Sequence, residues 1–259
     1  MTTKRLFFGF HVDAPWPSPL PSGRIIPENS RHCTLAFLGN YDYQQLADAM
    51  HSMPSLPFSI GKTGFFDQCL FLPEKHPHVA AWHAKWFDSA DMVKKMQQEL
   101  VDWLKMESKK EWLCHVTIAR APFDKQEWQQ AFQPLPFIIT HLHLYESFPE
   151  SNYKSLWSKP FIAPFEEFEH TADIAFAIRG SSVQQIFWNA FTALCWRFPP
   201  LLSFKQEVEA NTLDDVIIAL NHLIGLADEQ FGCPYKAISF HGDLKQKQEF
   251  LEWEMIVDV

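Results

Sequence analysis

Two short blocks constrain this chain more than anything else in it: "RHCTLAFLG", from Arg31, and "CHVTIAR", from Cys114. Each sets His-x-Thr before an apolar residue inside an apolar run, as His32-Cys33-Thr34-Leu35 and His115-Val116-Thr117-Ile118. Runs of this kind read as strands. In a strand, positions i and i+2 share a face, so each block offers an imidazole and a hydroxyl side by side. The histidines are 83 residues apart, which suits two halves of one folding unit. Strands brought together this way make a cleft with two histidines and two threonines.

That set of groups suits a phosphodiester. One neutral imidazole takes a proton from water, the other gives one to the leaving alkoxide as imidazolium, and the hydroxyls donate to non-bridging phosphate oxygens. An unperturbed imidazole titrates near ~6.5, so both forms are accessible around neutrality and no metal is needed. His76, His78 and His83 match no compact ligand spacing and read as surface-strand residues. His141 and His143 alternate on one strand face, facing the cleft or partly exposed.

The 259 residues suggest two compact units, 1–163 and 164–259, divided near "KPFIAPFEEFEH". In the first, strands are expected over 4–10 and 32–38, a short helix at "YDYQQLADAMHSM", β-like stretches near 57–62, 65–72 and 78–83, and a longer amphipathic helix at "SADMVKKMQQELVDWLKM". A strand at "CHVTIAR", a helix near 124–132 and strands near 136–147 and 153–162 follow. The segment 13–29, with five prolines, is expected to be an irregular loop. In the second unit, "TADIAFAIRG" reads as a strand, "SSVQQIFWNAFTALCW" as a helix capped by Ser181 or Ser182, and "LLSFKQEVEA" as a strand. A second helix at "TLDDVIIALNHLIGLADEQ" and strands at "YKAISFHG" and "EFLEWEMIVDV" close the chain. The fold class is α+β throughout.

Net charge is −9, and it is unevenly spread: 16 Lys/Arg against 16 Asp/Glu over residues 1–163, but 6 against 15 over 164–259. Neither half has the basic stripe that grips a long duplex, though a local hold on an RNA end is compatible with both. The five cysteines form no C-x-x-C pair and read as buried thiols rather than a disulfide framework, with Cys33 and Cys114 turned away from the histidine face. No run of ~20 apolar residues spans a bilayer, and the start lacks a small-residue cleavage site, so no membrane partner and a cytoplasmic location are expected.

On "KRLFFGF", the two His-x-Thr blocks, Arg120 five residues after the second histidine, and the closing "LHLYESF" and "YKSLWSKPF", residues 4–162 resemble the two-histidine phosphoesterases, specifically the RNA 2′,3′-cyclic phosphodiesterases once called 2′-5′ RNA ligases. The resemblance implies a two-lobed domain of mostly antiparallel sheets with helices. It also implies metal-independent hydrolysis of RNA 2′,3′-cyclic phosphate ends to 2′-phosphate. By similarity His115 activates water, His32 protonates the 3′ oxygen, and Thr34, Thr117 and Arg120 hold the phosphate; the residue pattern itself leaves acid and base interchangeable. Relatives usually have a helix where this chain has its proline-rich 13–29 loop.

In the acidic unit, Asp173, Asp258 and the carboxylate of Val259 would form an oxygen-rich site for a hard divalent ion such as Ca²⁺ or Mg²⁺ if the ends meet. "EHTADIAFAIRG", "TLDDVIIALNHLI", "YKAISFHG" and the terminal "IVDV" make residues 165–259 similar to archease, which assists a tRNA-splicing RNA ligase. That resemblance implies metal positions at Asp173, Asp258 and Val259, with Asp214 and Asp215 as weaker candidates, and an RNA-splicing ligase as partner. Only "FGCP" stands where archeases carry a further β-rich insertion. Together the halves imply a protein of tRNA splicing or RNA repair acting on RNA ends such as tRNA fragments. The alternatives are a non-catalytic adaptor that delivers RNA ends to the ligase, and a hydrolase of a small cyclic nucleotide or ADP-ribose cyclic phosphate.

Overall fold

The computed structural model describes residues 3–88, 90–106, 112–169, 173–240 and 242–259. Its first part comprises β1 (Thr3–Asp13), β2 (Arg24–Ile25), β3 (His32–Asp42), α1 (Tyr43–Ala49), β4 (Thr63–Leu72), β5 (Val79–Trp86), α2 (Ala90–Trp103), β6 (His115–Arg120), α3 (Lys125–Ala131), β7 (Pro136–Ser147) and β8 (Tyr153–Pro160). The strands run in the order β1-β3-β6-β5-β4-β7-β8, and β1 also pairs with β7, so six of them close a ring. Every ladder in it is antiparallel. The ring is thinnest between β3 and β6, which share the single pair Cys33↔Val116.

Alternation along the strands explains which side is filled. On β1, Leu6, Phe8, Phe10 and Val12 join Cys33, Leu35, Val116, Ile118, Leu142 and Leu144 in one core under α2, while the odd-numbered residues of β1 face the other way. α2 contributes Val93, Met96, Leu100 and Val101 from its apolar stripe. Asp42 and Asp124 cap α1 and α3, each accepting from two backbone amides of the first turn.

The second part holds β9 (Phe165–Phe168), β10 (Ile174–Gly180), α4 (Val183–Arg197), α5 (Leu213–Phe231), β11 (Ala237–Ile238), β12 (Lys245–Gln246) and β13 (Leu251–Asp258). These strands form a separate antiparallel sheet in the order β11-β13-β10-β9, with β12 against β13. Ser182 is the N-cap of α4, and Thr212 and Asp215 form a capping box on α5. α4 is buried from Gln185 to Cys195 on every side. One face lies on its own sheet and the other meets the first part, where Trp188 stacks on Phe87 at 4.7 Å and Asn189 accepts from Thr63 Oγ1 at 3.1 Å.

Four expected elements come out differently. "LLSFKQEVEA" contributes no strand; Pro199–Phe204 is a 3₁₀ helix that turns Leu201 and Leu202 into the second core. The adjacent prolines lock φ and remove two amide donors, which suits a helical start and not a ladder. The stretch 57–62 supplies only the bridge Ile60↔Ile162. "YKAISFHG" is paired only at Ala237 and Ile238, and His241 lies outside the described residues. The loop 13–29 is less irregular than its prolines suggest, because β2 pairs with β6 through Arg24↔Arg120 and Ile25↔Ala119.

Candidate active site

The pair Cys33↔Val116 fixes the geometry of the two blocks. Antiparallel neighbours then set His32 beside Thr117 and Thr34 beside His115, all four on the face opposite the core. They line one cavity of about 250 Å³ together with Arg120. Beneath it, Cys33 and Cys114 are buried with their sulfurs 3.1 Å apart, and all five cysteines are free thiols. Burial pushes the Cys114 thiol up, which disfavours the nucleophilic thiolate.

Arg120 reaches this face through a β-bulge. It lies five residues beyond His115, an odd step that would turn it into the core on a regular strand. Between Thr117 and Ala119 the register against β5 slips by one residue, so Ile118 and Ala119 both go inward and Arg120 comes back out. The carbonyl of Ile118 at the slip accepts from Ile26 N at 2.8 Å. The same device recurs on β3: the register slips at Leu35, Leu35 and Ala36 are both in the core, and the buried amide of Gln97 donates to Leu35 O at 3.1 Å. Phe37 therefore occupies on β3 the place Arg120 occupies on β6, and it is 47% exposed in the same cavity.

Each histidine is held by the carbonyl two residues before it: His32 Nδ1 lies 2.7 Å from Ser30 O, and His115 Nδ1 lies 2.9 Å from Leu113 O. A carbonyl only accepts, so both Nδ1 atoms carry hydrogen and donate, leaving the two Nε2 atoms for substrate. The surroundings differ. His32 is ringed by Phe7 at 4.7 Å, Tyr153 at 4.7 Å and Tyr145 at 5.3 Å. A Cβ on the neighbouring Gly9 would crowd the Cys33 carbonyl oxygen at 3.1 Å, while its 3.5 Å approach to His32 Cδ2 would be an ordinary contact. Burial pushes His32 down to about 4 against the pull of the Ser30 carbonyl, with His11, His115 and Arg120 adding repulsion. His115 is also lowered, first by burial and then by His83, while the Leu113 carbonyl opposes.

Arg120 presents a buried Nε with no partner among the described residues, a donor suited to a phosphate oxygen. Four contributors escaped the motif reading: Arg5, Phe37, His78 and Tyr153 also line the cavity. Phe37 was recoverable by aligning the two blocks through to their sixth residue; Arg5 and Tyr153 come from strands distant in sequence and carry no local signal. His83 is not a bare surface residue, since its Nδ1 donates to Asp67 Oδ1 at 2.6 Å. His141 and His143 do share the face of His32, and with His11 they extend the row of rings away from it: His11 pairs with both His32 and His141 in the ladders.

At the other end of the molecule, Ile174 pairs with Val257, so Asp173 and Asp258 stand at the same end of β10 and β13. Lys236 Nζ donates to a terminal oxygen of Val259. His170 and Thr171, next to Asp173, lie outside the described residues. Among the described residues no three His, Cys, Asp or Glu side chains gather as a metal-binding group. Asp215 accepts from the amides of Asn211 and Thr212 and serves as a helix cap, and Asp214 is exposed on the same turn. Among the described residues no helix is long and apolar enough to cross a membrane.

No protein-family model matches the chain, and no curated protein matches it. Among solved structures it is similar to E. coli LigT complexed with 3′-AMP, at 18% identity and a TM-score of 0.45 over 62% of this chain and 99% of that one. A structure described as a phosphoesterase aligns at 16% identity and a TM-score of 0.44 over 62% and 99%. The protein TT0787 of Thermus thermophilus aligns at 19% identity and a TM-score of 0.42 over 61% and 98%.

Proposed function

We propose that the first part of the chain is a metal-independent phosphodiesterase that opens 2′,3′-cyclic phosphate ends of RNA to 2′-phosphates. The observation that carries this reading is the convergence of His32, Thr34, His115, Thr117 and Arg120 on one face and one cavity. The guanidinium and the two hydroxyls hold the non-bridging oxygens, where charge builds as water adds to phosphorus. Water loses its proton to one Nε2, and the P–O3′ bond breaks as the other imidazolium gives its proton to the departing oxygen. The exposed ring of Phe37, with the Arg5 guanidinium over it at 5.1 Å, offers a base a stacking surface and favours a nucleotide substrate.

The depressed His32 favours it as the base and the less enclosed His115 as the acid, the reverse of the roles suggested by family similarity. A group pushed down to about 4 is unprotonated at neutral pH and ready to accept. The test is an oligoribonucleotide ending in a 2′,3′-cyclic phosphate, incubated in EDTA, with 2′- and 3′-phosphate products resolved. Accumulation of the 2′-phosphate supports the reading, and no turnover moves the weight to an adaptor that binds RNA ends. Faster turnover of a cyclic mononucleotide than of the oligonucleotide identifies a small cyclic phosphate as the substrate instead.

For the second part, the archease-like signatures support a role in assisting an RNA-splicing ligase, with a divalent cation held by Asp173, Asp258 and the Val259 carboxylate. Their oxygen donors suit a hard ion, and Lys236 competes for one of them. Calorimetric titration with Ca²⁺ and Mg²⁺ should give binding that is lost in an Asp173→Ala, Asp258→Ala variant; equal heats in both proteins remove the cation.

A further inference from the structure

A second cavity, of about 560 Å³, lies where the start of α4 meets the first sheet, apart from the histidine pocket. One wall is apolar, made by Phe58, Ile60 and Phe161, with the Phe58 and Phe161 rings 5.1 Å apart. Lys62 lines the cavity and is only 3% exposed. Its backbone is pinned. Gly61 N donates to Ile162 O at 2.9 Å, and Lys62 O accepts from Ile139 N at 3.0 Å. A Cβ on Gly61 would collide with Ile139 O, so only glycine allows the chain this close. The Lys62 side chain is thus delivered into the cavity by a rigid floor.

A buried ammonium needs compensation. Lys62 has the face of Phe58 at 5.3 Å and a longer-range attraction to Asp88, but no hydrogen bond or ion pair among the described residues. Lys159 adds a second ammonium to the lining, Glu249 a carboxylate, and Ser181 and Gln185 bring in the N-terminal end of the 15-residue α4. The donors at that end are already used, since Gln185 N donates to Ser182 Oγ and both Ser181 N and Ser181 Oγ donate to Gln185 Oε1, so the two ammonium groups are what draw an anion. A cavity of this size falls in the range that takes small molecules, which commonly sit where two structural units meet.

We propose that this cavity binds a small organic phosphate, its phosphoryl group on Lys62 and Lys159, its flat apolar body against Phe58, Ile60 and Phe161. The site is independent of the reaction at His32 and His115. The test is calorimetric titration of the full chain with phenyl phosphate and with inorganic phosphate, in the wild type, Lys62→Met, Lys159→Met and Arg120→Met. The wild type should bind phenyl phosphate at this site at least tenfold tighter than inorganic phosphate. That binding should survive Arg120→Met, vanish in Lys62→Met and weaken at least fivefold in Lys159→Met, whose exposed side chain leaves folding intact. Turnover of a 2′,3′-cyclic phosphate by Lys62→Met should stay within twofold of wild type. Binding that only Arg120→Met removes, binding unchanged by both lysine variants, or no binding at millimolar probe overturns the proposal. Equal affinity for the two probes overturns its apolar half.

Discussion

β3 and β6 carry the same histidine and threonine in the same register, with the same carbonyl hold on Nδ1 and the same bulge after them, and differ in the side chains packed around. His32 is walled in by Phe7, Tyr145 and Tyr153, while His115 pairs in the ladder with His83, itself tied to Asp67. Where β6 ends in a guanidinium, β3 ends in a phenyl ring. A duplicated motif supplies two interchangeable imidazoles; the rings packed against one of them take away the symmetry. Under the proposed mechanism the motif would provide the chemistry and the surroundings would assign the proton duties.

Removing either imidazole should have the largest effect. His32→Ala and His115→Ala should each lower kcat for the cyclic phosphate by about 10²–10⁴-fold, and the double variant should lose little more than the worse single, because the pair acts as a unit. Rapid-quench rates check this. Arg120→Met should cost about 10²-fold in kcat/KM, the loss typical of one donor to a developing oxyanion. Phe37→Leu, at the matching place on β3, should raise KM with little change in kcat. Equal behaviour of the two variants would restore the symmetry that the structure denies.

Smaller effects concern pH. With both histidines lowered, kcat/KM should peak on the acid side of 6.5 and fall as pH rises through the His115 value. Tyr153→Leu opens His32 to water and should raise the acid limb by on the order of half a unit. Stability should follow the same groups. His11, His32, His115 and His143 are all depressed, first by burial, so the unfolded chain takes up protons before the folded one. Stability should therefore be unaffected by them above about 6.5, and decline as pH falls from there toward 4, measured by urea denaturation across that range.

That each histidine shares a face with its threonine was legible in sequence because His-x-Thr is local: two side chains on one face need only a strand. Arg120 was legible as a residue but not as a direction, since the bulge at Ile118 that turns it outward depends on register against β5 and on β2, hidden in a proline-rich loop. The outward turn of Phe37 was hidden for the same reason, although its match to Arg120 could be read by aligning the two blocks. The expected strand near Leu201 failed because alternating apolar residues carry the same signal whether a ladder or a core takes them, and Pro199 with Pro200 decided for the core. α4 was legible as a helix, but its second buried face depends on Phe87 and Thr63, more than a hundred residues earlier.

The measurement that bears most directly on the divided roles uses a 2′,3′-cyclic phosphate whose bridging 3′ oxygen is replaced by sulfur. A thiolate leaves without a proton, so the substitution should restore much of the rate of His115→Ala and none of the rate of His32→Ala. Rescue of His32→Ala in place of His115→Ala would contradict the assignment, and full activity of both variants on the oxygen substrate would contradict the histidine pair itself.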